Sequence, residues 1–221
     1  MTQKVLILFL SLIYSYIVVS MVKNFIEKVR PLRSNISPER ATALDALALT
    51  IQEDLDKGNS VVKFICTHNS RRSQTAEFML DVMAREFGLN ITALSAGTEA
   101  TAFEPRMVTA IQNEGFELLE YGQKPNPLYI YRVENDDLYY FSKKYDEQLI
   151  DYGKAIMVTV CGDADENCPV LPGTLKRYHL GYNDPKQFDG TAKETQAYAE
   201  KVIEIGTEML YLVQKISSSV N

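Results

Sequence analysis

Histidine and cysteine are scarce in this chain of 221 residues, which has two of the first and three of the second. So small and odd a number of cysteines excludes a structural disulfide framework and points to reactive or buried thiols in a reducing compartment. The set Cys161, Cys168 and His179 lacks the tight ligand spacing of a zinc site, so no metal centre is expected. Excess positive charge is absent too: 23 Lys and Arg stand against 29 Asp and Glu, a net charge of −6. The basic residues are dispersed, which argues against a nucleic-acid partner. Long apolar runs are missing except for residues 5–22, uncharged and following Lys4. That run is long enough to span a bilayer, or to act as a signal segment with Val18 and Ser20 as a poor cleavage site. Alternatively, Met21 is the true start. The expectation is a cytoplasmic protein, with a membrane anchor holding the domain on the cytosolic side as the alternative.

What is present is length enough for one α/β domain with a good core and a small appendage. Its focus is the stretch Val61-Val62-Lys63-Phe64-Ile65-Cys66-Thr67-His68-Asn69-Ser70-Arg71-Arg72-Ser73-Gln74. The run 61–65 is β-branched and aromatic, as a buried strand is, and from Ser73 onward Phe78, Val82 and Phe87 follow helical spacing. The polar turn therefore sits where a strand hands over to a helix N-terminus. Unpartnered N–H groups and the helix dipole make an anion nest there. Cys66 opens the turn and Arg72 closes it. A cysteine ringed by N–H donors beside a guanidinium can act as a standing thiolate. The planar fork of Arg72 suits two oxygens of a tetrahedral anion, as a lysine would not. Cys-x5-Arg alone also fits a buried structural cysteine; the strand before it and the helix after it select the oxyanion loop.

Ser37-Pro38-Glu39 opens an earlier helix, with Leu44, Leu47, Ala48, Ile51 and Leu55 as its apolar stripe and Lys57-Gly58-Asn59 as its stop. It reads as an added packing helix, with a dimer contact as the alternative. After the loop helix, a strand at Ile91–Leu94 runs into Ser95-Ala96-Gly97-Thr98 and closes a βαβ unit. Pro105 starts a helix that Gly115 ends, and a strand follows at Phe116–Leu119. Two β-like runs, Leu128–Val133 and Leu138–Phe141, form an inserted hairpin. Its four tyrosines and one phenylalanine either wall the active-site cleft, favouring an aryl phosphate, or cover a sheet edge. Lys154–Val160 is the clearest central strand, with Cys161 at the C-terminal end where open parallel sheets bind ligands. Thr191 onward is a closing helix with Ala197, Val202, Ile205 and Leu212 inward. The expected architecture is three-layer α/β with a small, mainly parallel sheet. Residues 1–22 form the apolar segment, 23–59 a helical extension, and 60–217 the catalytic domain with an insertion at about 122–150.

Cys66-Thr67-x-Asn69-Ser70-x-Arg72-Ser73-Gln74 resembles the active-site loop of low-molecular-weight protein tyrosine phosphatases, and more closely that of the thioredoxin-coupled arsenate reductases of the same fold. The resemblance runs from about residue 60 to 216, interrupted near 122–150. It implies an oxyanion held by Thr67, His68, Asn69, Ser70, Arg71, Arg72 and Ser73. His68 departs from the usual glycine; if that position needs positive φ, histidine tolerates it better than most side chains. Asn69, Glu77 and Ser95 match residues that fix the loop in the reductases, in some members through a potassium ion; otherwise they bond loop backbone directly. No other cofactor is implied. Cys161 and Cys168 match the redox loop, which must move between exchanges, and Asp184, before Pro185, matches the general acid. Lys186-Gln187-Phe188 follow where phosphatases often carry paired tyrosines. The implied reaction is reduction of arsenate to arsenite by a relay through Cys66, Cys161 and Cys168, with thioredoxin or a similar thiol reductant as partner. The alternative is hydrolysis of phosphotyrosine by Cys66, Arg72 and Asp184 alone. A non-catalytic oxyanion-binding or membrane-tethered protein is the third reading.

Overall fold

The structure is a computed structural model describing residues 21–133, 136–145, 154–167 and 173–218. Expectations for residues 5–20 lie outside these. Among the described residues no helix is long and apolar enough to cross a membrane.

Strand β1 (Ser60–Cys66) is buried along its whole length, as an apolar run broken only by Lys63 suits in a strand covered on both faces. It pairs in parallel with β2 (Ile91–Gly97) on one side and β6 (Ala155–Thr159) on the other. Strand β7 (Thr174–His179) adds to β6, giving the parallel order β2-β1-β6-β7. Helix α3 (Arg72–Glu86) joins β1 to β2 and packs on both. Helix α6 (Glu194–Ser218) packs on α3, on α2 (Pro38–Leu55) and on α4 (Pro105–Asn113). The result is the expected three-layer α/β architecture, a four-stranded parallel sheet with helices around it. Its register sets Cys66 beside Gly97, and Ile65 beside Thr159. The C-terminal ends of β1, β2 and β6 thus meet at one place.

The N-terminal extension belongs to this core. Residues 21–29 are helical (α1), with Val22, Phe25, Ile26 and Val29 buried, followed by a 3-10 turn at Arg30–Asn35. Ser37 caps α2 by accepting from the Arg40 amide, with Pro38 in the first turn and Leu44, Leu47, Ala48 and Ile51 inward. These are the cap and most of the stripe that the sequence announces.

The inserted hairpin forms, but in a larger unit than expected. Strand β4 (Leu128–Val133) pairs with β5 (Asp136–Tyr140), and β3 (Leu118–Tyr121) adds antiparallel to β4, making a separate three-stranded sheet. Three of its tyrosines, Tyr129, Tyr131 and Tyr140, are core residues, while Tyr121 and Tyr139 are exposed. Tyr131 and Tyr140 stand edge-on to Phe78 of α3, and Tyr129 edge-on to Phe103. Phe116, expected within the strand, precedes it and joins Phe25 and Phe78 in the same cluster. For Tyr129, Tyr131 and Tyr140 the aromatic cleft wall is therefore corrected: burial of these rings in the core gains more than their exposure beside a polar loop. A second difference concerns residues 161–168, expected as a loop. Gly162–Asn167 form a short helix (α5), favoured by Asp163 and Asp165 in its first turn. Asp165 also accepts from the Thr159 hydroxyl at 2.7 Å and from Arg177 at 3.1 Å.

Candidate active site

The turn between β1 and α3 is built so that its carbonyls are occupied from outside. Cys66 O accepts from Thr98 N (3.3 Å), and Thr67 O from Glu99 N (2.8 Å) and the Thr98 hydroxyl. The hydroxyls of Thr101 and Ser142 both donate to His68 O at 3.1 Å. Gln74 Nε2 donates to Asn69 O (2.7 Å), Glu104 N to Ser70 O (3.3 Å) and Thr75 N to Arg71 O (3.2 Å). The amides entering α3 have no intrahelical acceptors. With every carbonyl from 66 to 71 engaged, the turn leaves its amides free of competing carbonyls, as an oxyanion nest requires.

Its one left-handed residue among those described is Asn69, φ 44°. Positive φ, considered above for His68, is thus taken one position later by a side chain that suits it. The His68 ring is half-exposed, 3.7 Å from Glu99. Gly97 is required for a different reason: a Cβ there would come within 2.6 Å of Thr67 O and Asn69 N. Strand β2 and the turn can approach so closely only across a glycine.

Cys66 is buried, its sulfur 3.0 Å from the Ser73 hydroxyl. Ser73 Oγ accepts from Asn69 Nδ2 at 2.9 Å, which leaves the serine proton free for the sulfur. The same amide donates to Ser95 Oγ at 2.7 Å, and the Ser95 hydroxyl donates to Glu77. Asn69, Ser95 and Glu77 therefore form one chain of bonds ending at the nucleophile. The Lys143 ammonium, itself buried, lies 3.4 Å from both Glu77 oxygens. Burial pushes the Glu77 carboxyl up, and Lys143 with the Ser95 bonds offsets this only in part. The potassium ion implied for this cluster does not fit the residues present, because a fixed ammonium already faces the carboxylate. Lys143 N also donates to Asn69 Oδ1 at 2.8 Å. Nothing in the sequence pattern marks Lys143 or Ser142; they reach the loop only because the chain returns from β5 across it.

Asp184 sits between two arginines. Arg71 Nε reaches Oδ1 at 2.7 Å and Nη2 reaches Oδ2 at 3.2 Å, while Arg72 Nη2 lies 3.0 Å from Oδ2. Partial burial would raise this carboxyl, but the Arg71 bonds, the Lys186 amide and the two guanidinium charges outweigh it and hold it below its ordinary value. Arg72 Nη1 also donates to Tyr182 O at 3.1 Å. The expected acid is thus an ionised partner of Arg71 and Arg72 here.

Cys161 follows β6 and is buried, its sulfur 3.6 Å from the hydroxyl of Thr67, the residue after Cys66. His179, at the end of β7, bonds Thr159 through Nδ1 at 2.9 Å. Cys168, the remaining member of the expected relay, lies outside the described residues.

A buried thiol thus stands at the handover from β1 to α3, at the carboxyl edge of a parallel sheet, with Arg72 in the first turn of the helix. The sequence profile of the family described as low molecular weight phosphotyrosine protein phosphatase matches residues 61–138. An arsenate reductase of Bacillus subtilis is 31% identical over 153 residues, covering 68% of this chain and 93% of the relative. An arsenate reductase of Bacillus licheniformis is 30% identical over 141 residues, covering 64% of this chain and 85% of that protein. The crystal structure of a low molecular weight protein tyrosine phosphatase from T. tengcongensis shares the fold, with a TM-score of 0.51 at 17% identity over 71% of this chain and 99% of that one. The chain belongs to the low-molecular-weight phosphotyrosine protein phosphatase family, and it is similar to curated relatives named arsenate reductases.

Proposed function

We propose that this enzyme reduces arsenate to arsenite, and the observation that carries the reading is the second thiol, Cys161, buried beside Thr67 at the oxyanion loop. A phosphatase needs one cysteine; a reductase must supply two electrons, and two thiols becoming a disulfide supply them. The Cys66 thiolate attacks arsenate monoanion held by the loop amides and Arg72. A sulfur–arsenic bond forms, an arsenic–oxygen bond breaks, and water leaves with both protons that the monoanion carried. The Cys161 thiolate then attacks the Cys66 sulfur. The sulfur–arsenic pair stays with arsenic, which departs as arsenite reduced by two electrons, and a Cys66–Cys161 disulfide remains. Cys168 attacks Cys161, freeing Cys66 and forming Cys161–Cys168, which thioredoxin or a similar dithiol reduces. Each exchange requires the attacking sulfur to reach its partner, so α5 must shift or unwind during the cycle. Such a relay belongs in a reducing compartment, the cytosol.

The test follows NADPH consumption with thioredoxin, thioredoxin reductase and arsenate, comparing the native protein with Cys161→Ser and Cys168→Ser. Steady turnover is expected for the native chain, no arsenite from Cys161→Ser, and a single round from Cys168→Ser. Phosphate release from aryl esters that is indifferent to both substitutions, with no arsenate-dependent NADPH loss, would make this a phosphatase.

A further inference from the structure

Arg71 is an unusual occupant of an oxyanion loop, because its charge is not turned to the nest. Its side chain is 9% exposed and its guanidinium spans Asp184 on one side and Glu104, at 3.4 Å, on the other. Around Asp184 three hydrogen bonds and a second guanidinium charge converge. Oδ1 takes Arg71 Nε at 2.7 Å and the Lys186 amide at 3.1 Å; Oδ2 takes Arg71 Nη2 at 3.2 Å, and Arg72 Nη2 is ion-paired with it at 3.0 Å. These contacts all favour the ionised carboxylate. A carboxyl hydrogen here would give up the charge pairing with both arginines. Proline at 185 and the 3-10 turn Pro185–Phe188, which Asp184 caps through that amide, hold its backbone in place.

The two candidate reactions differ in whether they need that hydrogen. Transfer of a phosphoryl group to a thiolate from an aryl ester dianion, the form that prevails above a second pKa of about 6, expels an aryloxide, which needs a proton from the enzyme. Arsenate monoanion expels water made from its own oxygen and its own two protons, so the balance closes without a donor. We propose that Arg71 sets the substrate class of this site: by fixing the Asp184 carboxylate between two guanidiniums, it selects oxyacids that carry their leaving-group proton over esters that do not. The choice of arsenate among such oxyacids rests on the reductase reading above; the discrimination against esters rests on the geometry of Asp184 alone. Arg71 acts here as a specificity-determining residue through Asp184, and the neighbouring Arg72 keeps its own bond to the Tyr182 carbonyl.

The experiment compares kcat/KM for 4-nitrophenyl phosphate, whose leaving group departs readily as an anion, with that for phenyl phosphate, whose leaving group does not. Because the ratio is internal to each protein, a general weakening of the loop cancels. The native enzyme is expected to favour the nitrophenyl ester steeply. Arg71→Met narrows the ratio by about tenfold or more, within the ~10²–10⁴-fold that a positioned general acid contributes. The variant's phenyl phosphate activity acquires a descending alkaline limb as Asp184 loses its proton, and adding Asp184→Asn abolishes the gain. Where Arg71→Met does not fold, Arg71→Gln carries the same expectation. A shallow ratio in the native enzyme, or a native-like ratio in both variants, overturns the proposal. Native enzyme that turns over no arsenate yet keeps a steep ratio sinks the reductase reading and leaves the role of Arg71 standing.

Discussion

Asp81 is a partly buried acid bonded from two sides, and its titration is a single-residue signal that can be followed. It accepts from the Tyr140 hydroxyl at 3.0 Å and the Ala93 amide at 3.2 Å. Burial, with Glu77 one turn earlier adding to it, pushes its carboxyl up to about 8, against the opposing pull of Tyr140, Ala93 and Arg85. The unfolded chain releases this proton near the ordinary value of 3.8 and the native state holds it until about 8. Native protein therefore binds more protons through that window. Its contribution to stability is complete below the lower value and is lost as pH rises towards the upper one. One extra bound proton gives a slope of about 1.4 kcal/mol per pH unit. Urea unfolding of the native protein and Asp81→Asn at pH 5, 6 and 7 should show a difference in stability that changes by close to that slope. Parallel curves would mean that Asp81 is ionised in the fold.

At the scale of elements, the extension and the insertion turn out to serve the site from behind. Arg40 of α2 grips Glu208 of α6 with two bonds, at 2.7 and 2.8 Å, and lies over the Tyr182 ring at 4.6 Å. Tyr182 is the residue whose carbonyl holds Arg72, so a helix far from the loop in sequence buttresses its arginine. Helix α1 docks on α6 across Gly206, where an added Cβ would fall 2.6 Å from the Phe25 ring. Two effects compete in Gly206→Ala. Helix propensity favours alanine by up to ~1 kcal/mol, while overpacking costs ~1–3 kcal/mol. Phe25 is wedged against Phe116 in a buried cluster and has little room to yield. The expected result is a net loss of about 1 kcal/mol, recovered on adding Phe25→Leu. A stabilised Gly206→Ala protein in thermal or urea denaturation would show that α1 is not seated as described.

For the whole molecule, an anion that binds only when β1, β2 and α3 are assembled must stabilise the assembly. Mass action gives about 2.7 kcal/mol at a hundredfold excess over Kd, roughly 5–10 °C in Tm for a chain of this size. Inorganic phosphate should raise the Tm of the native protein with saturable dependence. Arg72→Lys, which keeps the charge and loses the fork, should remove most of the shift. An equal rise in both proteins would mark a general salt effect and no loop site.

Local pattern determined a good deal of this protein. The largely apolar runs at 61–65 and 155–159, rich in β-branched residues, read as strands covered on both faces, and both are. Ser37-Pro38 started α2 as such a cap should. The handover from β1 to α3 placed the turn at Cys66 before a helix N-terminus, whose unpartnered amides follow from helix geometry itself. What pattern could not reach was every contact joining residues distant in the chain. Tyr131 and Tyr140 carry the same alternation whether they face a cleft or a core, and only the packing of Phe78 and Phe116 against them decided for the core. Lys143 is an ordinary lysine in sequence, and it became the cation at Glu77 through the path of the chain after β5. Asp184 was visible as an acid before proline, yet whether it keeps a proton depends on which guanidiniums stand around it. Periodicity and capping are local properties, carried by neighbours a few residues apart, whereas burial, charge pairing and protonation depend on what the fold brings within about 4 Å.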